Sequence, residues 1–238
     1  MAVTTKAAEK SKRKTQRQLE QQRKMRQMRV LFWSTGAALI VLIALAVVLL
    51  PKGNTIAVDY DNLPRLGSAD APVRIVEFGD FQCPICQYFA QQVMPQIRKD
   101  YIDTGKASLY FANFTIIGPD SVTGALAAQS VFHQNKDEFW KFYDALYESQ
   151  GEENKGWLTA DFVVNLAKDK GIRVDYDQLK QDIVSRKYMD EVNKQYSIAY
   201  NKARFNATPS LLINGQAYTG GLGYDEIKAA LDRAAKGE

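Results

Sequence analysis

Two cysteines, Cys83 and Cys86, are the only sulfhydryl residues in 238 positions, and they lie three apart in Cys83-Pro84-Ile85-Cys86. The two-residue gap lets one helical turn bring both sulfurs within bonding reach. An apolar run precedes the pair, and Pro84 suits the first turn of a helix, where its missing N–H is not needed. A C-x-x-C placed between a strand and a helix is informative. Cys83 then lies at a helix start, where free backbone N–H groups and the helix dipole favour a thiolate. Cys83 is expected to exchange bonds, and Cys86 to resolve the mixed disulfide from behind. Three other readings place two cysteines here. Half a zinc site would need further ligands, and His133 is the only histidine. An inert staple would close so small a loop that it constrains little of the unfolded chain. Two reduced, buried thiols without chemistry are the third.

The elements that must position the pair follow from local pattern. Val73-Arg74-Ile75-Val76-Glu77-Phe78 reads as a short buried strand, and Gly79-Asp80-Phe81-Gln82 as a loop. The helix opened by Cys83-Pro84 is expected to run from Gln87 to about Asp100, bent at Pro95. Residues 107–114 read as the next strand, so strand–helix–strand implies a parallel unit in an α/β sheet. From 120 to 205 apolar residues recur at three and four, as in Val122, Leu126 and Val131 or Phe139, Phe142 and Leu146. Three to five helices are expected, with Asn135, Thr159 and Asp175 as caps and Gly171 as a stop. Pro209-Ser210-Leu211-Leu212-Ile213 then reads as a strand, Asn214-Gly215 as a hairpin turn and 216–219 as its return. A last helix is expected from Tyr224 to about Ala235. The plan is βαβ, a helical block, then ββα.

Charge is unevenly spread. Residues 1–29 hold ten Lys/Arg and two Glu, residues 30–50 none, and residues 51–238 twenty-one Lys/Arg against twenty-five Asp/Glu. The mildly acidic remainder gives no general reason to bind nucleic acid. Residues 31–50 form an uncharged apolar run of twenty, about 30 Å as a helix and long enough for a bilayer core. The basic flank lies before it, so the tail is expected in the cytoplasm and the domain outside. A cleaved signal peptide is the rival, with Ala44-Leu45-Ala46 as its small residues. Residues 51–72, rich in Pro and Gly, read as a linker.

Val76-Glu77-Phe78-Gly79-Asp80-Phe81-Gln82-Cys83-Pro84-Ile85-Cys86 resembles the active-site stretch of DsbA-family thiol oxidases. Phe205-Asn206-Ala207-Thr208-Pro209-Ser210-Leu211-Leu212-Ile213-Asn214-Gly215 is similar to the family's cis-proline strand and hairpin. The likeness spans about 73–236 and is nearest the membrane-anchored Gram-positive BdbD-type members. It implies an α/β thioredoxin-like fold at 73–117 and 206–238 with an inserted helical domain at 118–205, preceded by the one N-terminal transmembrane helix read at 30–50 from its apolar run. It implies that a cis bond before Pro209 sets the Thr208 backbone beside the cysteines, ready to pair with a substrate strand, where a trans proline starting an edge strand is the alternative. It implies that Glu77 is a buried acid able to take or relay the Cys86 proton, where a salt bridge or exposed strand end is the alternative. Strongly oxidising relatives carry His where Ile85 stands, so stabilisation of the Cys83 thiolate is expected from the helix terminus alone. Beyond the disulfide itself no cofactor is required.

The expected function is oxidation of reduced secreted or cell-surface proteins. A quinone-linked membrane re-oxidase of DsbB or vitamin K epoxide reductase type would restore the disulfide. A reductase or isomerase kept reduced by a membrane donor is one alternative, and a non-enzymatic tethered chaperone another. Of the remaining features, His133 and the cluster Phe139, Trp140, Phe142, Tyr143 and Tyr147 read as helix packing. Asp59, Asp61, Asp175 and Asp177 are candidate ligands for a structural calcium.

Overall fold

The computed structural model describes residues 55–237, together with Met25, Met28, Phe32, Trp33 and Gly36, which are helical. Residues up to Lys52 and from Gly53 onward form separate compact units. The expected membrane segment at 30–50 lies, but for three residues, outside the described ones. No helix among the described residues is long and apolar enough to cross a membrane.

The second unit is built on five strands: β1 (Arg65–Leu66), β2 (Val73–Gly79), β3 (Ala107–Asn113), β4 (Ser210–Ile213) and β5 (Gln216–Ala217). Their order is β1-β3-β2-β4-β5, with β2 and β3 parallel and the other pairs antiparallel. β2 is central because six of its seven residues tolerate burial, Arg74 alone being exposed. The two-residue period sends Val73 and Ile75 into the larger core and Val76 and Phe78 into a smaller core on the opposite face. Glu77 shares the face of Val73 and Ile75. A carboxyl in a strand of Val, Ile and Phe is thereby carried into the interior.

The helix after β2, α1, spans 84–102. It alternates α-helical Pro84–Tyr88 and Met94–Ile97 with π-helical Phe89–Val93 and Arg98–Ile102. The bend expected at Pro95 takes the form of a π turn. Proline has no N–H to give the preceding turn, and the Met94 N–H reaches five residues back to the Phe89 carbonyl. The inserted block contains α2 (Pro119–Gln134), α3 (Phe139–Glu148), α4 (Ala160–Asp169), α5 (Tyr176–Val184) and α6 (Met189–Ser197), and α7 (Tyr224–Lys236) closes the fold. Thr159 and Asp175 cap α4 and α5 by accepting from the Phe162 and Gln178 amides at 3.1 and 2.9 Å. Asn135 caps the short 3₁₀ turn before α3, and Gly171 adopts the left-handed conformation after α4. Each cap contributes about 1 kcal/mol. Each fully buried Phe or Leu of the core contributes about 1.5–3 kcal/mol.

Of the segment read as a linker, residues 55–72 are described, and part of them joins the fold. Leu63 is buried, and β1 pairs antiparallel with β3. The Ile56 N–H also donates to the Gly215 carbonyl at 2.7 Å. Two residues are too few for an apolar period to announce a strand, and the exposed backbone edge of β3 supplies the reason for it to form. At the β4–β5 hairpin both Asn214 and Gly215 have positive φ, as a tight two-residue turn requires.

Candidate active site

Cys83 is the N-cap residue of α1, with extended backbone, and Pro84 occupies the first turn. Both cysteines are free thiols. Their surroundings differ. Cys86 is fully buried, while Cys83 is 5% exposed beside Ile85, which is 54% exposed. The Thr208–Pro209 peptide is cis, and the Thr208 carbonyl accepts from the Cys83 thiol at 3.3 Å. Two segments 125 residues apart in the chain thus meet at one sulfur.

The Cys83 thiol is lowered from an ordinary 9.0 to about 6. The main cause is the Cys86 thiol, which donates to the Cys83 thiolate. The Thr208 hydroxyl and the Cys86 and Ile85 backbone N–H groups add to it, against the opposing effect of burial. That hydroxyl is buried and has no hydrogen-bond partner among the described residues, so it is available to turn toward the Cys83 sulfur once that sulfur is ionised. The expectation that the helix terminus acts alone is therefore corrected. The terminus contributes two N–H groups, and the largest and next favourable contributions come from side chains the dipeptide does not contain. Cys86 moves the opposite way, well above its ordinary value, chiefly because burial penalises its thiolate and its proton is held by Cys83.

Glu77 lies in the same enclosed space. Burial raises its carboxyl from 4.5 to about 8, partly offset by Tyr143, whose hydroxyl donates to both carboxyl oxygens at 3.1 and 2.9 Å. It is not at an exposed strand end, and it forms no salt bridge among the described residues. Tyr147, one helical turn beyond Tyr143, donates to the Asp80 carbonyl at 3.3 Å. Gly79 permits this approach. A Cβ there would lie 2.6 Å from the Phe111 ring and 3.1 Å from both Glu77 Oε1 and the Tyr147 oxygen.

The loop before the cysteines is fastened by buried polar groups. Asp80 accepts from the Gln82 amide with one oxygen at 3.0 Å, and from the Ile116 and Ile117 amides with the other at 2.9 and 3.1 Å. The Gln82 side chain donates to Ser121 and accepts from the Asn154 amide. Gln150 donates to the Phe81 and Cys83 carbonyls at 2.8 and 3.1 Å. The sequence reading assigns these residues no role of their own, and it takes Tyr143 and Tyr147 for helix packing. The available signal was indirect: polar Asp80 and Gln82 lie among residues that must be buried, and a buried Tyr needs a partner for its hydroxyl.

Other candidates lie elsewhere. His133 pairs with Glu191 and stacks on Tyr188. Of the aromatic cluster, Phe139 and Phe142 are core residues, whereas Tyr143 and Tyr147 belong to the site. Asp175 serves as a cap, and Asp59 accepts from Asn62 at 2.8 Å. No group of three His, Cys, Asp or Glu that could hold a metal ion occurs among the described residues, so the four aspartates are not gathered around a calcium.

Chemically, the pair is asymmetric. Cys83 is a thiolate near neutral pH, hence both nucleophile and good leaving group. Cys86 leaves poorly unless it is protonated, and Glu77 is an acid of suitable strength nearby. A thioredoxin family model matches residues 61–233. A probable disulfide bond formation protein D from Bacillus cereus is 39% identical over 185 residues, covering 78% of this chain and 84% of that protein. Disulfide bond formation protein D of Bacillus subtilis is 34% identical over 175 residues, covering 74% and 78%. The crystal structure of oxidised BdbD from Bacillus subtilis superposes with a TM-score of 0.71 at 32% identity, covering 76% of this chain and 97% of that one. The chain belongs to the DsbA-like branch of the thioredoxin family, and it is a protein disulfide oxidoreductase.

Proposed function

We propose that this chain is an oxidase that donates its Cys83–Cys86 disulfide to reduced proteins outside the cytoplasm. A substrate thiolate attacks Cys83 and expels Cys86, which takes a proton from Glu77. The substrate's second thiolate then attacks its own sulfur in the mixed disulfide and releases Cys83 as a thiolate. Two electrons pass from the substrate dithiol to the enzyme. One substrate proton goes to solvent, and the other replaces the proton Glu77 gave to Cys86. Thr208, at the edge of β4 beside Cys83, offers backbone for a substrate strand, and exposed Pro84 and Ile85 border the same sulfur.

The observation that carries this reading is the placement of Cys83 at the start of α1 against the carbonyl of the cis Thr208–Pro209 peptide, with Cys86 fully buried behind it, a setting that lowers the Cys83 thiol and raises that of Cys86. A stabilised thiolate favours the reduced enzyme, and hence transfer of the disulfide outward. The uncharged run at 31–50 behind a basic flank supports a single membrane anchor with the domain on the outer side. That placement calls for a quinone-linked membrane partner of DsbB or vitamin K epoxide reductase type to restore the disulfide. No bound cofactor enters the scheme.

The test is disulfide transfer from the oxidised chain to a reduced, unfolded dithiol protein. Rapid transfer that is lost in Cys83→Ser is the expected result. Transfer no faster than in that variant contradicts the reading. Alkylation trapping in cells separates the directions: mostly disulfide fits an oxidase, mostly thiol a reductase.

A further inference from the structure

We propose that Tyr143, contributed by the inserted helical block, is a positioning residue for the proton step, holding the Glu77 carboxylate where Cys86 can reach it. The proposal rests on the proton role of Glu77 given above. It assigns to the insertion a part in the chemistry of the sheet domain.

The geometry carries it. Glu77 is fully buried on β2, and Tyr143 Oη lies within hydrogen-bond distance of both its oxygens, bridging the carboxyl. A bridging donor orients the group and stabilises its ionised form. Tyr143 is itself fixed. It is fully buried, with rings of Phe111, Trp140 and Tyr147 at centroid distances of 5.3, 5.2 and 4.8 Å. The titratable groups facing Glu77 are Cys83 and Cys86 from α1, Tyr143 and Tyr147 from α3, and Asp80 in the loop after β2. Tyr143 and Tyr147 are held neutral, far above their ordinary value, by burial and by the carboxyl beside them. Tyr143 therefore donates and does not compete as a base. The phenol offsets part of the effect of burial, so both proton states of the carboxyl are accessible around pH 8.

The experiment follows re-oxidation of the reduced full chain by oxidised glutathione. Cys83 thiolate attacks one glutathione sulfur and releases a first glutathione thiolate. Cys86 gives its proton to Glu77, attacks the Cys83 sulfur and releases a second. One disulfide is consumed and one formed. The pH dependence of the second release reports the Glu77 base. In the wild type its limb is expected near pH 8. In Tyr143→Phe the limb moves up by about one pH unit, the loss of one charge-assisted hydrogen bond. The variant combined with Glu77→Gln behaves as Glu77→Gln alone.

A limb unmoved in Tyr143→Phe but absent in Glu77→Gln overturns the role of Tyr143 and leaves that of Glu77 intact. A wild-type limb persisting in Glu77→Gln removes the Glu77 role, and the proposal with it. Infrared spectra of the unaltered chain, with Glu77→Gln to assign the band, serve if Tyr143→Phe does not fold. A hydrogen-bonded carboxyl stretch supports the proposal, and a free one contradicts it.

Discussion

The two ends of a single helical turn occupy opposite environments. Around Cys83 the chain offers donors: the Cys86 thiol, the Thr208 hydroxyl and two backbone N–H groups, at a rim marked by exposed Ile85. Around Cys86 it offers burial, with Glu77, Tyr143 and Tyr147 enclosed among Phe81 and Phe111. Identical thiols separated by two residues therefore move in opposite directions. The C-x-x-C supplies two sulfurs and a helix start, whereas the contrast between them is built by β2, β4 and α3.

The largest effect comes from removing one side of that contrast. Cys83→Ser is expected to abolish disulfide transfer. Cys86→Ala is expected to leave Cys83 reactive, so that mixed disulfides with substrate accumulate and can be trapped on non-reducing gels. The reverse assignment, with Cys83→Ser as the trapping variant, would break the comparison. Next is Glu77→Gln, which leaves the rim intact and removes the acid. Release of Cys86 should slow by roughly a hundredfold, the usual scale for a general acid, while alkylation of Cys83 is unchanged. Stopped-flow mixing with a reduced dithiol peptide reads both.

Gly79→Ala probes the packing between the two environments. Its Cβ would meet the Phe111 ring and the Glu77 and Tyr147 oxygens. A loss of about 1–3 kcal/mol in denaturant unfolding is expected, as for other over-packed cores. An unchanged midpoint would show that the enclosed side is looser than drawn. The smallest effect is that of Thr208→Val, which deletes one donor to the Cys83 thiolate. The thiol should rise by about half to one pH unit, measured by the pH dependence of alkylation. No rise would assign the shift to Cys86 and the helix amides alone.

Much of the frame was legible beforehand because it is local. The apolar run of β2, the Asn214-Gly215 turn, and the caps at Thr159 and Asp175 are each decided within a few residues. The strand Arg65–Leu66 was hidden inside an apparent linker, because it is called into place by the open edge of β3 and not by its own pattern. The π turns of α1 follow from hydrogen-bond rerouting ahead of Pro95, which a bend anticipates without describing. The pairing of Tyr143 with Glu77 joins residues 66 apart. Nothing in an aromatic-rich helix says which hydroxyl will meet the one carboxyl of a distant strand. Ile85 brings no charge to the rim, and Cys86 and Thr208 act on the Cys83 thiol through contacts that only the fold creates.

The central claim is that Cys83 is an ionised thiol near neutral pH while Cys86 is not. Titrating the ultraviolet thiolate absorbance of the reduced protein, with Cys86→Ala to assign the site, tests it most directly. A single thiolate should appear near pH 6 in the wild type and shift upward when the Cys86 donor is removed. A thiolate that appears only near the ordinary 9.0, in both proteins, would contradict the account.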